Sequence, residues 1–285
     1  MKTPVALALL LLGAPLRAQD FDLVIRHARL VDGTGAPAAT GDLAVKGDRI
    51  AAVGRVDGRG KVEIDAAGRV LAPGFIDVHT HSEDITSLPL AENFLRMGVT
   101  TIVTGNCGTS RVDVAEFFDS IRHTGVGVNV ATLVGQGSVR GQVMGGSFMR
   151  PATTAEVERM RELVAQAMKD GAVGLSTGLI YLPGTYTKTE ELIELAKVAG
   201  AHGGIYASHM RAETVQIFSA LDELIRIARE ARMPAQVSHI KLSGPAAWGR
   251  TDEVAAKLAA ARREGLEIHH DQYLYTASST SISTL

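Results

Sequence analysis

The spacing of apolar residues changes character once along the chain, at Pro73-Gly74. Before that point the apolar runs are short: Leu23-Val24-Ile25, Ala28-Arg29-Leu30-Val31, Asp42-Leu43-Ala44-Val45, Arg49-Ile50-Ala51-Ala52-Val53, Val62-Glu63-Ile64-Asp65 and Arg69-Val70-Leu71-Ala72. Turn residues separate them, at Asp32-Gly33 and Gly47-Asp48. Short runs with Gly/Asp turns predict a small antiparallel sheet domain over 19–72. Beyond Gly74 apolar strands alternate with amphipathic helices, which predicts βα units and a parallel sheet. The expected strands are 75–81, 100–107, 127–134, 172–177, 204–209, 235–241 and 266–273. Between the later ones lie helices over 151–170, 187–200, 215–230 and 252–263. Thr153 with Glu156, and Thr187 with Glu190, have the spacing of capping boxes. Seven such units predict an α/β fold, an incomplete TIM-like (β/α)8 barrel over 73–285 lacking strand 8 and the return to the small β domain. That stretch is shorter than the about 250 residues a full barrel takes. An open doubly wound sheet is the alternative, but no Gly-x-Gly-x-x-Gly turn follows a first strand, which lowers a dinucleotide-binding reading.

Composition narrows the partners. The 285 residues are 46% hydrophobic and 21% charged with a formal net charge of -2, ordinary values for a chain with a sizeable core. Without a basic stripe or zinc-finger spacing, nucleic acid is not the expected partner. One cysteine, Cys107, excludes an intrachain disulfide, and a lone cysteine more often packs than reacts. Residues 1–18 are expected to be a signal peptide: Lys2 precedes the apolar run 5–12, and Ala14-Pro15-Leu16-Arg17-Ala18 follows. That run is too short to span a bilayer, so no membrane association is expected after cleavage. The expected location is periplasmic or secreted, with a cytoplasmic protein bearing an N-terminal extension as the alternative.

Candidate chemistry falls at the ends of the predicted strands. His79 and His81 end the first barrel strand, Cys107 the second and His209 the fifth, and His239 lies near the end of the sixth. Catalytic groups of barrel enzymes gather at those ends because they share one rim. Residues two apart in a strand share a face, so His79 and His81 can both point inward. Imidazole and thiolate are ligands that zinc favours. Singly, each residue is more often structural; the joint placement at strand ends points to a metal site for one Zn2+, or two if a carboxylate joins. His27 and His123 read as surface or turn residues and His202 closes a helix, while His269 and His270 lie on the seventh strand.

Several segments resemble the amidohydrolase superfamily. Pro73-Gly74-Phe75-Ile76-Asp77-Val78-His79-Thr80-His81 is similar to its entry motif, and the preceding strands, with Val31-Asp32-Gly33-Thr34-Gly35, resemble its small β-sandwich domain. Gly105-Asn106-Cys107-Gly108, Gly174-Leu175-Ser176-Thr177-Gly178-Leu179-Ile180-Tyr181, Ser208-His209-Met210-Arg211, Ser238-His239-Ile240-Lys241 and Asp271-Gln272-Tyr273-Leu274-Tyr275-Thr276-Ala277-Ser278-Ser279 resemble the N-acyl-D-amino-acid deacylases (D-aminoacylases). The resemblance covers essentially all of the chain after residue 18. It implies a tight zinc on Cys107, His209 and His239, and a second, weaker metal position at His79 and His81. It implies that Lys241, Tyr273 and Ser279 hold the substrate carboxylate or polarise its carbonyl, and that Tyr181 lines the pocket. To these the residue chemistry adds Arg211, whose guanidinium beside a ligand could fork onto a carboxylate; a structural ion pair is the equal alternative. The implied reaction is hydrolysis of the amide of an N-acyl-D-amino acid by metal-activated water.

In the resembling family a proton-transfer aspartate ends the eighth strand. No catalytic residue of that kind is identified within this chain, where it is expected beyond Leu285; Asp77 and Asp271 cannot be promoted to the role by position alone. The 285 residues by themselves are therefore expected to be poorly active, and a complementing C-terminal fragment or an incomplete coding sequence would account for the ending. Two alternatives stay open. One is a cyclic amidase of the hydantoinase or dihydroorotase type, although Ser176-Thr177 offers no lysine for carboxylation on the fourth strand. The other is a metal-binding remnant without catalysis.

Overall fold

A computed structural model describes residues 20–280; the expected signal peptide lies outside the described residues. The chain divides into two compact units, the first ending at Pro73 and the second beginning at Gly74.

In the first unit β1 (Phe21–Leu30), β2 (Ala39–Lys46), β3 (Arg49–Gly54), β4 (Gly60–Asp65) and β5 (Val70–Leu71) form one sheet of order β3-β2-β1-β4, with β5 also paired to β1. β1, β2 and β3 are antiparallel as expected, but β4 and β5 run parallel to β1, so the sheet is mixed. The reason lies in the connection from β3 to β4. It crosses the sheet instead of turning back, and Arg26 of β1 holds it there by donating to the carbonyls of Val56 and Gly58, each at 2.6 Å. Asp42 and Glu63 neutralise that guanidinium from the strands on either side. The two expected runs 23–25 and 28–31 are one strand, with a register shift between Ile25 and Ala28 and His27 at φ 53°. Val24, Ala44 and Val56 make the small core of this unit.

The second unit alternates strands and helices throughout. Its elements are β6 (Phe75–Asp77), α1 (Glu92–Leu95), β7 (Val99–Thr104), α2 (Val114–Thr124), β8 (Asn129–Thr132), β9 (Val134–Gly135), α3 (Gln136–Met144), α4 (Thr154–Lys169), β10 (Gly174–Gly178), α5 (Thr189–Ala201), β11 (Ile205–His209), α6 (Ile217–Ala231), β12 (Ala235–Val237), α7 (Thr251–Arg263) and β13 (Ile268–His270). Every paired neighbour is parallel, in the sheets β6-β7-β8 and β9-β10-β11-β12-β13. β8 and β9 are one predicted strand interrupted at Leu133, whose N–H still donates to Thr104 O at 2.9 Å. Among the described residues the ladder does not close between β13 and β6.

Burial explains the helices. Met160, Val164 and Ala167 of α4, Leu192, Leu195, Ala196 and Ala199 of α5, and Leu221, Leu224 and Ala228 of α6 recur at helical spacing and fill one core with Leu175, Tyr206 and Val237 of the sheet. The Thr153–Glu156 capping box forms as expected. The expected box at Thr187 does not: α5 starts after Lys188, and the Thr187 hydroxyl accepts from Gln136 Nε2 at 2.9 Å instead. Helix α3, rich in glycine and polar residues, carried too weak an apolar pattern to be expected. The observed strands β6, β12 and β13 are shorter than predicted; in β6 and β12 the chain leaves the ladder just before the candidate ligands begin.

Candidate metal centre

Each candidate ligand sits just beyond, or at, the last paired residue of a strand. Cys107 follows β7 in the left-handed region, φ 52°, between Gly105 and Gly108 at φ 78° and 77°. A side chain there is uncommon and needs support from its surroundings. Ser176 of β10 supplies it: its hydroxyl donates to Gly105 O at 2.5 Å and accepts from Gly108 N–H at 3.0 Å, gripping the backbone on both sides of the cysteine. His239 follows β12 at φ 36°, and its N–H donates to an Asp271 oxygen at 2.6 Å. The N–H of His79 is caught at 3.1 Å by the Asp77 carboxylate.

The result is a cluster of imidazoles around one thiol. Cys107 Sγ lies 3.4 Å from His79 Nε2 and 3.6 Å from His239 Nε2. His209 packs its ring edge against that of His239 with 4.3 Å between centroids. His81 is exposed and meets the His79 ring edge-on at 5.6 Å. Among the described residues two groups have donor atoms close enough to share an ion, namely His79 with Cys107 and His239, and His209 with Glu213 and His239.

Burial shifts the protonation of Cys107 and His209. It pushes the Cys107 thiol up to about 12, with the negative charge of Asp271 adding to the effect. It pulls His209 down to about 3 despite the nearby Glu213 carboxylate, so its imidazole is neutral. Burial would raise Asp271, but the hydrogen bond and charge of His79 at 3.0 Å, the His239 N–H and Gln236 together bring it below the usual carboxylate range. Glu213 is lowered in the same way against its burial, by His239, His209 and Lys241.

The donor set fits zinc. Both ring nitrogens of His209 are buried without a hydrogen-bond partner, and the one without a proton has a lone pair that is costly to leave unaccepted. Zn–S of about 2.3 Å and Zn–N of about 2.0 Å in a tetrahedral site place sulfur and nitrogen about 3.5 Å apart. The two Cys107–histidine separations match that value.

The centre opens into a cavity of about 860 Å³. Of the residues expected at the site, His79, His81, Cys107, Tyr181, His209, His239, Lys241, Tyr273 and Ser279 all line it. Lys241 Nζ stands 5.6 Å from the Tyr273 ring centre, and Tyr181 meets the His209 ring edge-on at 4.7 Å. Arg211 does not line the cavity. Its guanidinium forks onto Glu223, with Nε and Nη2 each 2.9 Å from a carboxylate oxygen, and caps the Thr185 and Thr187 carbonyls. The structural ion pair is thus the correct reading of Arg211. Glu213 and Asp271 also line the cavity. Glu213 escaped sequence reading because it stands in an irregular segment after β11, where no periodicity tells which side chains turn inward. Asp271 follows a strand end, as the ligands do, but position alone gave it no role.

The same architecture recurs in known proteins. The model of the amidohydrolase family (Amidohydro_3) matches residues 62–271. The chain is 38% identical to a D-aminoacylase of Alcaligenes xylosoxydans xylosoxydans, over 93% of this chain and 60% of that protein. It is 34% identical to an N-acyl-D-glutamate deacylase of the same organism, over 92% of this chain and 58% of that protein. It superposes with a TM-score of 0.86 on a crystal structure of the N-acyl-D-glutamate deacylase of Bordetella bronchiseptica complexed with zinc and a phosphonate mimic of the tetrahedral intermediate. That match, at 34% identity, covers 90% of this chain and 59% of the other. The chain therefore spans about three-fifths of the length of these relatives. A thiol and imidazoles converging at the ends of parallel strands, and a family match across most of the second unit, lead to one conclusion: the chain belongs to the amidohydrolase family.

Proposed function

We propose that the second unit is the larger part of a (β/α)8-type barrel and carries the metal centre of a zinc-dependent hydrolase of N-acyl-D-amino acids. The reaction would release a carboxylate and a free D-amino acid. The observation that carries this reading is Cys107 Sγ between His79 Nε2 and His239 Nε2, in one cavity with Lys241, Tyr273 and Ser279. The resemblance assigns the tighter ion to Cys107, His209 and His239 and a weaker one to His79 and His81, while the geometry joins Cys107 to His79 and His239, and His239 is shared with the group of His209 and Glu213. Bound zinc supplies a water acidified to a pKa of about 7 and polarises an amide carbonyl. The remaining work falls to the chain's own residues. The Lys241 ammonium, beside Tyr273, offers a cationic anchor to the substrate carboxylate. The Ser279 hydroxyl is free to donate from the exposed side of the cavity. Tyr181 and His209, packed edge to face, wall the cavity beside the thiol. The names of the relatives, deacylases of N-acyl-D-glutamate and N-acyl-D-aspartate among them, support the substrate class. An export signal over 1–18 would place the protein outside the cytoplasm.

Ligand binding to the zinc-loaded full chain tests the reading directly. N-acetyl-D-leucine, N-acetyl-D-glutamate and N-acetyl-D-aspartate should each be compared with its L enantiomer by calorimetric titration. At least one D form should bind tenfold or more tightly than its L form, and Lys241→Met should remove that binding. Equal binding of enantiomers, or preferential binding of a hydantoin, would refute the proposal.

A further inference from the structure

The Glu213 carboxylate can join a donor group with His209 and His239, but its contacts give it a place that the ligand set around Cys107 and substrate anchoring leave unexplained. Its side chain is only 11% exposed. A single oxygen, Oε1, lies 2.5 Å from Lys241 Nζ, 3.0 Å from His239 Nδ1 and 3.8 Å from His209 Nε2. His239 Nδ1 is thus approached from two sides, since Lys241 Nζ is also 2.8 Å from it.

These two approaches make opposite demands on the imidazole proton. An ammonium only donates, so a bond from Lys241 requires a bare Nδ1 and puts the proton on Nε2. That proton would point at Cys107 Sγ, 3.6 Å away, where a metal ligand must present a lone pair. A carboxylate only accepts, so a bond to Glu213 requires Nδ1–H and leaves Nε2 bare toward the sulfur. Only the second tautomer allows His239 to ligate beside Cys107.

We propose that Glu213 is a positioning residue that selects the Nδ1–H tautomer of His239 and thereby ties metal ligation to the readiness of Lys241 for a substrate carboxylate. The inference rests on the metal-hydrolase reading above. Once the proton is on Nδ1, it faces the Lys241 ammonium, and two donors repel. Lys241 then keeps its bonds to Glu213 Oε1 and to His239 O at 3.0 Å, and its remaining proton is turned off the imidazole toward the cavity. One carboxylate so orders both the metal's ligand and the substrate's anchor. A carboxylate behind a ligating histidine commonly sets metal affinity by about 10–100-fold.

The test uses the full chain loaded with zinc. Long-range proton–nitrogen correlation spectra of His239 should show Nδ1 protonated and Nε2 bound to the metal; the reverse assignment overturns the proposal without any variant being made. Zinc affinity is then measured by competition with a chromophoric chelator. Glu213→Ala should weaken zinc about 10–100-fold and Glu213→Gln, which keeps an acceptor oxygen, about tenfold or less. Lys241→Met should leave zinc affinity within about threefold while removing N-acetyl-D-leucine binding. At saturating zinc, Glu213→Ala should also weaken N-acetyl-D-leucine at least tenfold, a loss that a role confined to the metal would not produce. Zinc affinities of both Glu213 variants within twofold of wild type overturn the inference alone. A wild-type chain that takes up no zinc overturns the metal-centre reading and the inference with it.

Discussion

Gly178, the last residue of β10, offers a clean test of how the fold holds the cysteine. A Cβ built on it would lie 2.1 Å from Cys107 O and 2.8 Å from Cys107 C, with the Tyr181 ring at 2.7 Å. Ordinary contact for a Cβ begins at 3.4 Å, so Gly178→Ala must open this contact by more than an ångström. Neither neighbour can give easily. The Cys107 backbone is gripped by Ser176 on both sides, and the Tyr181 ring is lodged against His209. Overpacking of this kind costs about 1–3 kcal/mol. At about 2 kcal/mol the folded-to-unfolded ratio falls about 30-fold. The displacement falls on the segment that places Sγ between two histidines, so zinc affinity should drop at least tenfold as well. Urea unfolding of the metal-free chain measures the first effect and chelator competition the second. Gly141→Ala is the control. A Cβ there meets nothing within 4 Å, and Gly141 lies inside α3, where alanine should stabilise by about 0.5–1 kcal/mol and leave zinc binding alone. A Gly178→Ala protein with wild-type unfolding and wild-type zinc affinity would refute this account of the cysteine loop.

Three further outcomes are expected. Arg140 is fully buried and paired with Glu191, its Nη2 capping the Phe148 and Arg150 carbonyls, so Glu191→Ala should cost about 3–5 kcal/mol by stranding the guanidinium, and adding Arg140→Met should recover much of that in urea melts. Glu156 is held down at about 2, from an ordinary 4.5, by Arg150 and then by the Thr153 backbone N–H, so its contribution is complete above about pH 4.5 and is lost as pH falls toward 2. The melting-temperature gap between wild type and Glu156→Gln should therefore be present at pH 7 and close by about pH 2; a gap independent of pH would contradict the sign. Zinc at 100 times its Kd should stabilise the chain by about 2.7 kcal/mol, and Cys107→Ala should abolish that increment in thermal melts.

The alternation of strands and helices was legible because each helix buries one stripe and each strand a short apolar run, patterns that local composition carries. The candidate ligands were legible for a related reason: parallel strands end on one rim, so residues at strand ends converge even when far apart in sequence. What stayed hidden depended on contacts across the chain. The parallel pairing of β4 with β1 hinges on Arg26 reaching the Val56 and Gly58 carbonyls, and spacing cannot show that. The motif at Thr187 had the letters of a capping box, but Gln136, more than fifty positions earlier, claimed the hydroxyl. For Arg211 residue chemistry leaves the pocket and a structural ion pair equally open, and only the position of Glu223, in the second turn of α6, decides for the ion pair.

Asp271 shows how a group that sequence position leaves without a role acquires one from geometry. Oδ1 of this carboxylate accepts from the backbone N–H of His239 at 2.6 Å and faces His79 Nδ1 at 3.0 Å, while Oδ2 takes a hydrogen bond from Gln236. The first bond supports the left-handed conformation of His239, a strain of about 1–3 kcal/mol that something must offset. The second holds the His79 proton on Nδ1 and leaves Nε2 toward the thiol. A single side chain thus orders two histidines on two different strand ends. Protonating it would weaken both arrangements at once, and the net lowering of its pKa against burial shows that its surroundings favour the anion. A carboxylate with that task is poorly suited to shuttle protons, because each proton it accepted would loosen the two histidines it positions. Asp271 is therefore placed to support the candidate ligands His79 and His239 more than to act as a general base.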